Sequence, residues 1–195
     1  MIAQLTGKFS ILTPTLLVLD VQGVGYELHI SLHTYTALQG RTEGPVHTYL
    51  KVSEDALTLY GFADVEEKEM FIRLIGISGV GAATARMMLS SLRPAEITAY
   101  ILAGDARQLE RVKGIGKKTA ERLVLELKDK LGKSTVAAGA INLPAYNTVW
   151  NDALEALMAL GIQRAPADAA IKKLQMAPPD DPSVEAIIKQ VLKTL

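Results

Sequence analysis

The chain has 195 residues and a formal net charge of zero, with 49% hydrophobic and 22% charged residues, a composition typical of globular rather than disordered or collagen-like proteins. It contains no cysteine, which excludes disulfides, iron–sulfur clusters, cysteine-ligated zinc and thiol catalysis. No apolar run approaches the roughly 20 residues of a membrane span, and the N-terminus lacks a secretory signal pattern, so we expect a cytoplasmic protein without membrane contact.

The zero net charge hides an uneven distribution along the chain. Residues 1–63 carry 3 basic and 5 acidic side chains, residues 64–140 carry 13 and 10, and residues 141–195 carry 5 and 6. The middle third is therefore net positive, whereas the first third is net negative. A molecule polarised in this way can bind phosphate on one face and repel it from another.

The first 63 residues are predicted to form a small β-barrel domain. Short runs rich in Val, Leu, Tyr and Thr lie between Gly, Pro and Asp turn signals. Five short strands at this spacing are typical of an OB-like or small Greek-key barrel, and an SH3-like barrel would give a similar pattern. The predicted strands are 2–8, 16–21, 26–30, 46–52 and 57–62.

Residues 64–132 are predicted to form a helical domain, because the apolar spacing changes to a helical period at Asp64. The apolar face of the first helix is expected to include Val65, Phe71, Ile72 and Ile75. The acidic residues of its first turn suit the helix dipole and are interpreted as solvent-exposed. They are Glu66, Glu67 and Glu69.

The remainder is predicted to be a tethered helical module. A helix over 117–131 is expected to end at Gly132, and residues 133–147 have the small, polar composition of a flexible linker. Residues 148–195 are predicted to form a three-helix bundle, with helices over 148–160 and 166–175 and a third that begins at an Asp181-Pro182 N-cap. A bundle this small is more typical of a docking module than of a catalytic domain.

The most informative feature is an internal repeat at an offset of 35 residues. Residues 78–85 read SGVGAATA and residues 113–120 read KGIGKKTA. Two copies are too few for a solenoid and indicate a pair of helix–hairpin–helix units instead.

A Gly-x-Gly bend before a helix suits phosphate binding for definite physical reasons. The glycines allow a positive φ and a close approach to the backbone, while Val80 and Ile115 are predicted to point inward and anchor each bend. The helix that follows has unpaired N–H groups and a positive dipole end, and Lys117 and Lys118 add formal charge. Such contacts give affinity without reading base sequence. The predicted DNA-binding residues are Ser78, Gly79, Val80, Gly81, Lys113, Gly114, Ile115, Gly116, Lys117, Lys118 and Thr119.

Other nucleotide-binding motifs do not fit the repeat. The run 114–118 lacks the first glycine of a P-loop and the hydroxyl residue that follows its lysine. Thr84 and Thr119 occupy the third-glycine position of a dinucleotide-binding fingerprint, and no strand precedes either copy.

No catalytic or metal-binding constellation is evident in the sequence. His29, His33 and His47 have no metal-ligand spacing and are interpreted as ordinary surface or core imidazoles. No serine lies in a nucleophile elbow. We therefore expect a non-catalytic protein with no metal or cofactor of its own.

The full pattern of barrel, paired hairpins, linker and three-helix bundle resembles that of the RuvA family, bacterial subunits that recognise Holliday junctions. The likeness extends over the whole chain. It includes the opening MIAQLTG, the run LYGF at 59–62 and the segment GIGKKTAERL at 114–123.

The resemblance implies a homotetramer, with an octamer as the alternative, that holds a four-way DNA junction open during recombination and the repair of DNA damage, including the SOS response. It places an acidic pin in the turn between the last two barrel strands, here Glu54 and Asp55, whose charges would repel phosphates at the crossover. It also implies that residues 148–195 dock on RuvB, a hexameric ATPase that uses the ATP, and it allows for the RuvC resolvase as a further partner.

One departure from the repeat concerns charge. The first hairpin has Ala82-Ala83 where the second has Lys117-Lys118. We therefore expect the first hairpin to bind phosphate through its backbone and helix dipole, helped by Arg86, and the second to contribute more affinity.

Two other functions remain as alternatives. A helix–hairpin–helix glycosylase or lyase would place an Asp well downstream of the hairpin and would often carry a cysteine cluster, whereas the nearest acids here, Glu126 and Asp129, lie in the same predicted helix. A protein–protein adaptor would show no salt-sensitive DNA binding.

Overall fold

A computed structural model describes residues 1–138, 145–176 and 183–194. The chain divides into two compact units, Met1–Thr135 and Val136–Leu195. The domain boundary predicted between residues 63 and 64 lies inside the first unit and stays a prediction. No helix of the described segments has the length and apolar character needed to cross a membrane.

The first unit begins with a closed five-stranded barrel, which confirms the predicted OB-like architecture. The strands are β1 (Gln4–Thr13), β2 (Leu16–Val21), β3 (Val24–Ile30), β4 (Glu43–Val52) and β5 (Leu57–Phe62). Around the barrel they follow the order β1-β2-β3-β5-β4, and β4 pairs back onto β1. The pairing of β3 with β5 is parallel, and all the other pairings are antiparallel.

A short helix that the strand pattern did not predict follows β3. This helix, α1 (Leu32–Leu38), has Ser31 as its N-cap, whose hydroxyl accepts a hydrogen bond from the backbone N–H of Thr34 at 3.0 Å. Seven residues are too few for a helix to be stable alone, so α1 depends on the tertiary contacts of its buried side chains, Thr34 and Leu38.

The helical part of the first unit contains α2 (Val65–Ile75), α3 (Ala82–Ser91), α4 (Pro94–Ala103), α5 (Ala106–Glu110) and α6 (Lys117–Ala138). The predicted end of α6 at Gly132 is wrong, because the helix continues to Ala138. A glycine inside a helix costs only about 1 kcal/mol relative to alanine and does not end the helix by itself. Of the predicted linker, residues 139–144 lie outside the described residues.

The packing of α2 differs from the predicted face. Met70, Phe71 and Leu74 are buried, whereas Val65 and Ile72 are exposed, so the predicted apolar face is wrong at those two positions. The ring of Phe71 lies with its centroid 4.9 Å from that of Tyr60 and 5.0 Å from that of Phe62, both on β5. The aromatic residues on the outer side of the barrel thus set the rotation of α2 about its axis.

The second unit is a bundle of α7 (Ala145–Ala159), α8 (Arg164–Gln175) and α9 (Val184–Leu192), in agreement with the three predicted helical patterns. The N-cap of α9 is Ser183, whose hydroxyl accepts from the N–H of Ala186 at 3.2 Å, and not Asp181 as predicted. Residues 181 and 182 lie outside the described residues. The bundle core consists of Trp150, Ala153, Leu157, Ala167, Ile171, Ile187 and Val191.

Candidate nucleic-acid interface

The two repeats fold into hairpins with the same backbone geometry. Gly79 has a φ of 93° and Gly114 has a φ of 92°. The amide of Val80 donates to the carbonyl of Ile77 at 3.0 Å, and the amide of Ile115 donates to that of Val112 at the same distance. Because all these pairs are related by 35 positions, the sequence repeat is also a repeat of conformation.

The central residue of each hairpin points inward, as predicted. Val80 and Ile115 are each only 5% exposed and belong to one hydrophobic cluster shared by the helices of the first unit. Burial of both side chains holds the bends against the helices and leaves the flanking glycines at the surface. Each hairpin is therefore anchored by a buried side chain and has its glycine backbone exposed to solvent.

The second glycine of each hairpin leads directly into a helix whose first amides are free of intrahelical acceptors. The first hydrogen bonds of the helical pattern run from the N–H of Ala85 to the carbonyl of Gly81 at 2.9 Å and from the N–H of Ala120 to the carbonyl of Gly116 at 3.0 Å. The amides that precede Ala85 and Ala120 in these helices have no acceptor within the helix. A Cβ added at Gly81 or Gly116 would meet no atom within 4 Å, so the space in front of both helix starts is open. Backbone N–H groups and the positive end of a helix dipole in open space form a suitable site for an anion.

The two hairpins lie beside each other with reciprocal contacts. A Cβ at Gly79 would lie 3.8 Å from Oγ1 of Thr119, and a Cβ at Gly114 would lie 3.9 Å from Cγ2 of Thr84. Each bend thus faces the start of the helix that follows the other bend. This arrangement places both helix starts in one compact region of the first unit.

Charge distinguishes the two hairpins. Lys113, Lys117 and Lys118 are exposed around the second hairpin. At the first hairpin Ala83 is exposed, but Ala82 is only 4% exposed and packs in the core. The sequence alone suggests two missing lysines there, whereas the structure leaves room for an exposed charge at Ala83 only.

Arg86 does not extend toward the first hairpin, where it was expected to help. Its guanidinium donates to the carbonyl of Thr15 at 3.3 Å and lies 3.2 Å from Nδ1 of His29. These contacts link α3 to the barrel. Burial raises the pKa of Tyr60, and the nearby positive charge of Arg86 partly offsets this increase.

Arg122 supports the first hairpin, a role that the repeat pattern does not reveal. From α6 its guanidinium donates to the carbonyl of Ser78 at 3.2 Å. The same side chain lies 3.7 Å from the carboxylate of Glu126. Because Met87 occupies the matching position on α3, the second hairpin has no equivalent support at that position.

The predicted acidic pin lies at an exposed tip, in the turn between β4 and β5. Glu54 and Asp55 are both exposed, and the turn closes with a bond from Ser53 N–H to the carbonyl of Ala56 at 2.9 Å. The two carboxylates therefore project from the barrel, in a region of acidic charge remote in sequence from the lysines of the second hairpin.

Glu67 is completely buried, so the prediction that it is solvent-exposed is wrong. Its carboxylate accepts hydrogen bonds from the hydroxyls of Ser31, the N-cap of α1, and Thr34 on α1. Burial raises the pKa of Glu67, while the two hydroxyl donors act in the opposite direction. Its partners lie 36 and 33 positions away in sequence, so no local pattern could have identified them.

Three family models together cover most of the chain. Residues 1–61 match the RuvA N-terminal domain, residues 71–129 match a SAM-like helix–hairpin–helix tandem, and residues 148–195 match the RuvA C-terminal domain. The second match coincides with the paired hairpins described above. None of the three matches supports the glycosylase alternative.

Curated relatives match along their whole length. A protein of Bacteroides fragilis is 44% identical over 202 residues, with 100% of both chains covered. One from Christiangramia forsetii is 44% identical over 195 residues with the same coverage, and one from Cytophaga hutchinsonii is 42% identical over 197 residues with 99% of both chains covered. All three are named Holliday junction branch migration complex subunit RuvA. On the evidence of its barrel, its paired hairpins and these full-length matches, the chain belongs to the RuvA family.

Proposed function

We propose that this protein is a non-catalytic subunit of a branch migration complex and binds four-way DNA junctions without reading their sequence. The observation that carries the proposal is the pair of matching hairpins, which present two open helix starts side by side. Amide groups at such sites bind phosphate oxygens, which are the same in every nucleotide.

The acidic tip adds a preference for branched DNA. We propose that four copies assemble around the crossover, so that Glu54 and Asp55 of each copy form a ring of eight carboxylates. Phosphates of the crossing strands would be pushed outward by this ring, which favours an open junction. A continuous duplex offers no gap into which such a ring could fit.

The second unit would recruit the motor. Its three helices form their own hydrophobic core. We propose that residues 148–195 dock on the RuvB ATPase, which would supply the energy for migration, and that RuvC is a further partner. A tether between the two units would raise the local concentration of the motor at the junction.

The proposal is tested by gel shifts that compare a four-way junction with a linear duplex of the same arm sequences, together with light scattering. We expect tighter binding to the junction, unchanged affinity when the arm sequences are scrambled, and a particle of four or eight chains. Equal affinity for junction and duplex would contradict the proposal, as would cleavage of lesion-bearing DNA.

The role of the pin is tested by the double substitution Glu54→Lys and Asp55→Lys. We expect the ratio of junction to duplex affinity to fall, because attraction replaces repulsion at the crossover. The matched control is Glu27→Lys with Glu43→Lys, which makes the same change of charge at two exposed barrel residues away from the tip. The pin role is ruled out if both double variants change the ratio equally.

A further inference from the structure

A second cluster of polar side chains lies where α1 meets the start of α2. Nε2 of His33 is 3.4 Å from Oδ2 of Asp64, and the carboxylate of Glu67 lies beside them. One ligand-type atom from each residue falls within 4.8 Å of the other two. We propose that these three residues form a binding site for a divalent transition-metal ion, with Zn²⁺ as the best match.

The spacing of the donor atoms fits an ion. Zinc ligands of the imidazole and carboxylate type lie about 2.1 Å from the metal, which places two ligands of a tetrahedral site roughly 3.4 Å apart. The atoms of His33 and Asp64 already have this separation. The other pairs are no more than 4.8 Å apart, and His33 and Asp64 are partly exposed and therefore able to adjust.

The carboxylates of Asp64 and Glu67 both accept hydrogen bonds within the fold, and both keep lone pairs that could coordinate a metal ion. Oδ1 of Asp64 caps α2 by accepting from the N–H of Glu67 at 2.7 Å, which leaves Oδ2 turned toward His33. The two oxygens of Glu67 each accept one hydroxyl, from Ser31 and Thr34, and a carboxylate oxygen can accept more than one partner.

The hydroxyls around Glu67 act as the outer support that metal ligands require. Ser31 and Thr34 fix the orientation of the carboxylate, and both are themselves buried. Thr34 also accepts from the N–H of Ala63 at 3.0 Å, which ties the support to the chain segment just before α2. Supporting bonds of this kind typically change metal affinity by 10–100-fold.

The donor set indicates the class of ion. One imidazole with two carboxylates suits Zn²⁺ and related borderline ions, whereas Mg²⁺ prefers oxygen ligands only and retains its water. A bound ion would also neutralise the charge of a buried carboxylate, which is otherwise costly to keep ionised. The ion would join α1, which lies between two strands of the barrel, to α2, the first helix after the barrel.

The test is calorimetric titration of the full chain, treated with EDTA and dialysed, with ZnCl₂ and separately with MgCl₂. We expect one Zn²⁺ per chain, much weaker binding of Mg²⁺, and an increase in the unfolding temperature of roughly 5 °C at a Zn²⁺ concentration ten times Kd. His33→Ala and Asp64→Asn should each weaken Zn²⁺ binding at least tenfold. Asparagine retains the ability to cap α2, so the second variant should remain folded.

The matched control is His47→Ala, which removes a half-buried imidazole from β4 outside the cluster. It should bind Zn²⁺ like the wild type. The proposal is overturned if the wild type takes up no stoichiometric Zn²⁺, if the His33 and Asp64 variants bind as the wild type does, or if the control loses as much affinity. Because DNA is absent from every arm, these outcomes do not depend on the proposed junction binding.

Discussion

The first and second hairpins bend in the same way but differ in charge. Gly79 and Gly114 have φ values within a degree of each other, and Val80 and Ile115 are buried to the same extent. Only the second hairpin carries Lys117 and Lys118, exposed at the start of its helix. Shared backbone geometry gives both hairpins open amide groups of the kind that bind anions, whereas we expect the strength of the attraction to depend on side chains that differ between them.

Packing explains part of the difference. Ala82, the counterpart of Lys117, is buried in the core of the first unit, so that position belongs to the fold rather than to the surface. Ala83 is exposed, and nothing in the structure requires it to be alanine. The first hairpin therefore cannot easily accept a charged side chain at position 82, whereas at position 83 it merely lacks one.

Removal of the lysines from the second hairpin should have the largest effect. For Lys117→Ala with Lys118→Ala we expect the slope of log affinity against log salt to become less negative by about 1.8, which is roughly a 60-fold loss of junction affinity at 0.1 M salt. Fluorescence anisotropy with a labelled junction at several salt concentrations measures both values. An unchanged slope would show that neither lysine contacts phosphate.

Replacement of the glycine with positive φ should lower the stability of the protein by the same amount at either hairpin. For Gly79→Ala or Gly114→Ala we expect a loss of about 1–2 kcal/mol in the free energy of unfolding, because a Cβ is disfavoured at positive φ. Gly116→Ala is the control, since its φ is not positive and its Cβ would meet open space. Urea denaturation tests this, and a loss confined to one hairpin would contradict their equivalence.

Addition of a charge to the first hairpin should partly reproduce the second. For Ala83→Lys we expect a gain of roughly eightfold in junction affinity at 0.1 M salt and a slope steeper by about 0.9, provided that the new lysine reaches one phosphate. The measurement is the same anisotropy titration. A loss of affinity, or no change in slope, would show that the first hairpin does not face the DNA backbone as the second does.

Removal of Arg122 should affect the first hairpin alone. Arg122→Ala deletes the bond to the carbonyl of Ser78, for which we expect a cost of about 0.5–1.5 kcal/mol. Hydrogen exchange should become faster at residues 78–82 and stay unchanged at 113–117. An equal increase in exchange rate at both hairpins would mean that Arg122 supports both of them and not the first alone.

Much of the fold could be predicted because its signals are local. The five strands, the paired hairpins and the inward side chains of Val80 and Ile115 follow from short patterns and one repeat. The features that were missed depend on distant residues. α1 is too short to show a period, and Glu67 looks like a surface acid until α1 supplies its two hydroxyl partners.

The candidate site shows the same division. Repeat and glycine spacing predict where the hairpins are, but not that Ala82 is buried, that Arg86 contacts the barrel, or that Arg122 reaches Ser78. The contacts of Arg86 and Arg122 join residues at least 44 positions apart. The burial of Ala82 depends on how α3 packs. Tertiary contacts decide them, and a single sequence carries no direct record of those contacts.

The most direct test of the central claim is a crystal structure of the protein with a four-way DNA junction. Both hairpins should face the sugar–phosphate backbone, with amide nitrogens at the starts of α3 and α6 about 2.9 Å from phosphate oxygens. The nearest DNA atoms should belong to the backbone rather than to base edges. Hairpins that point away from the DNA would contradict the account.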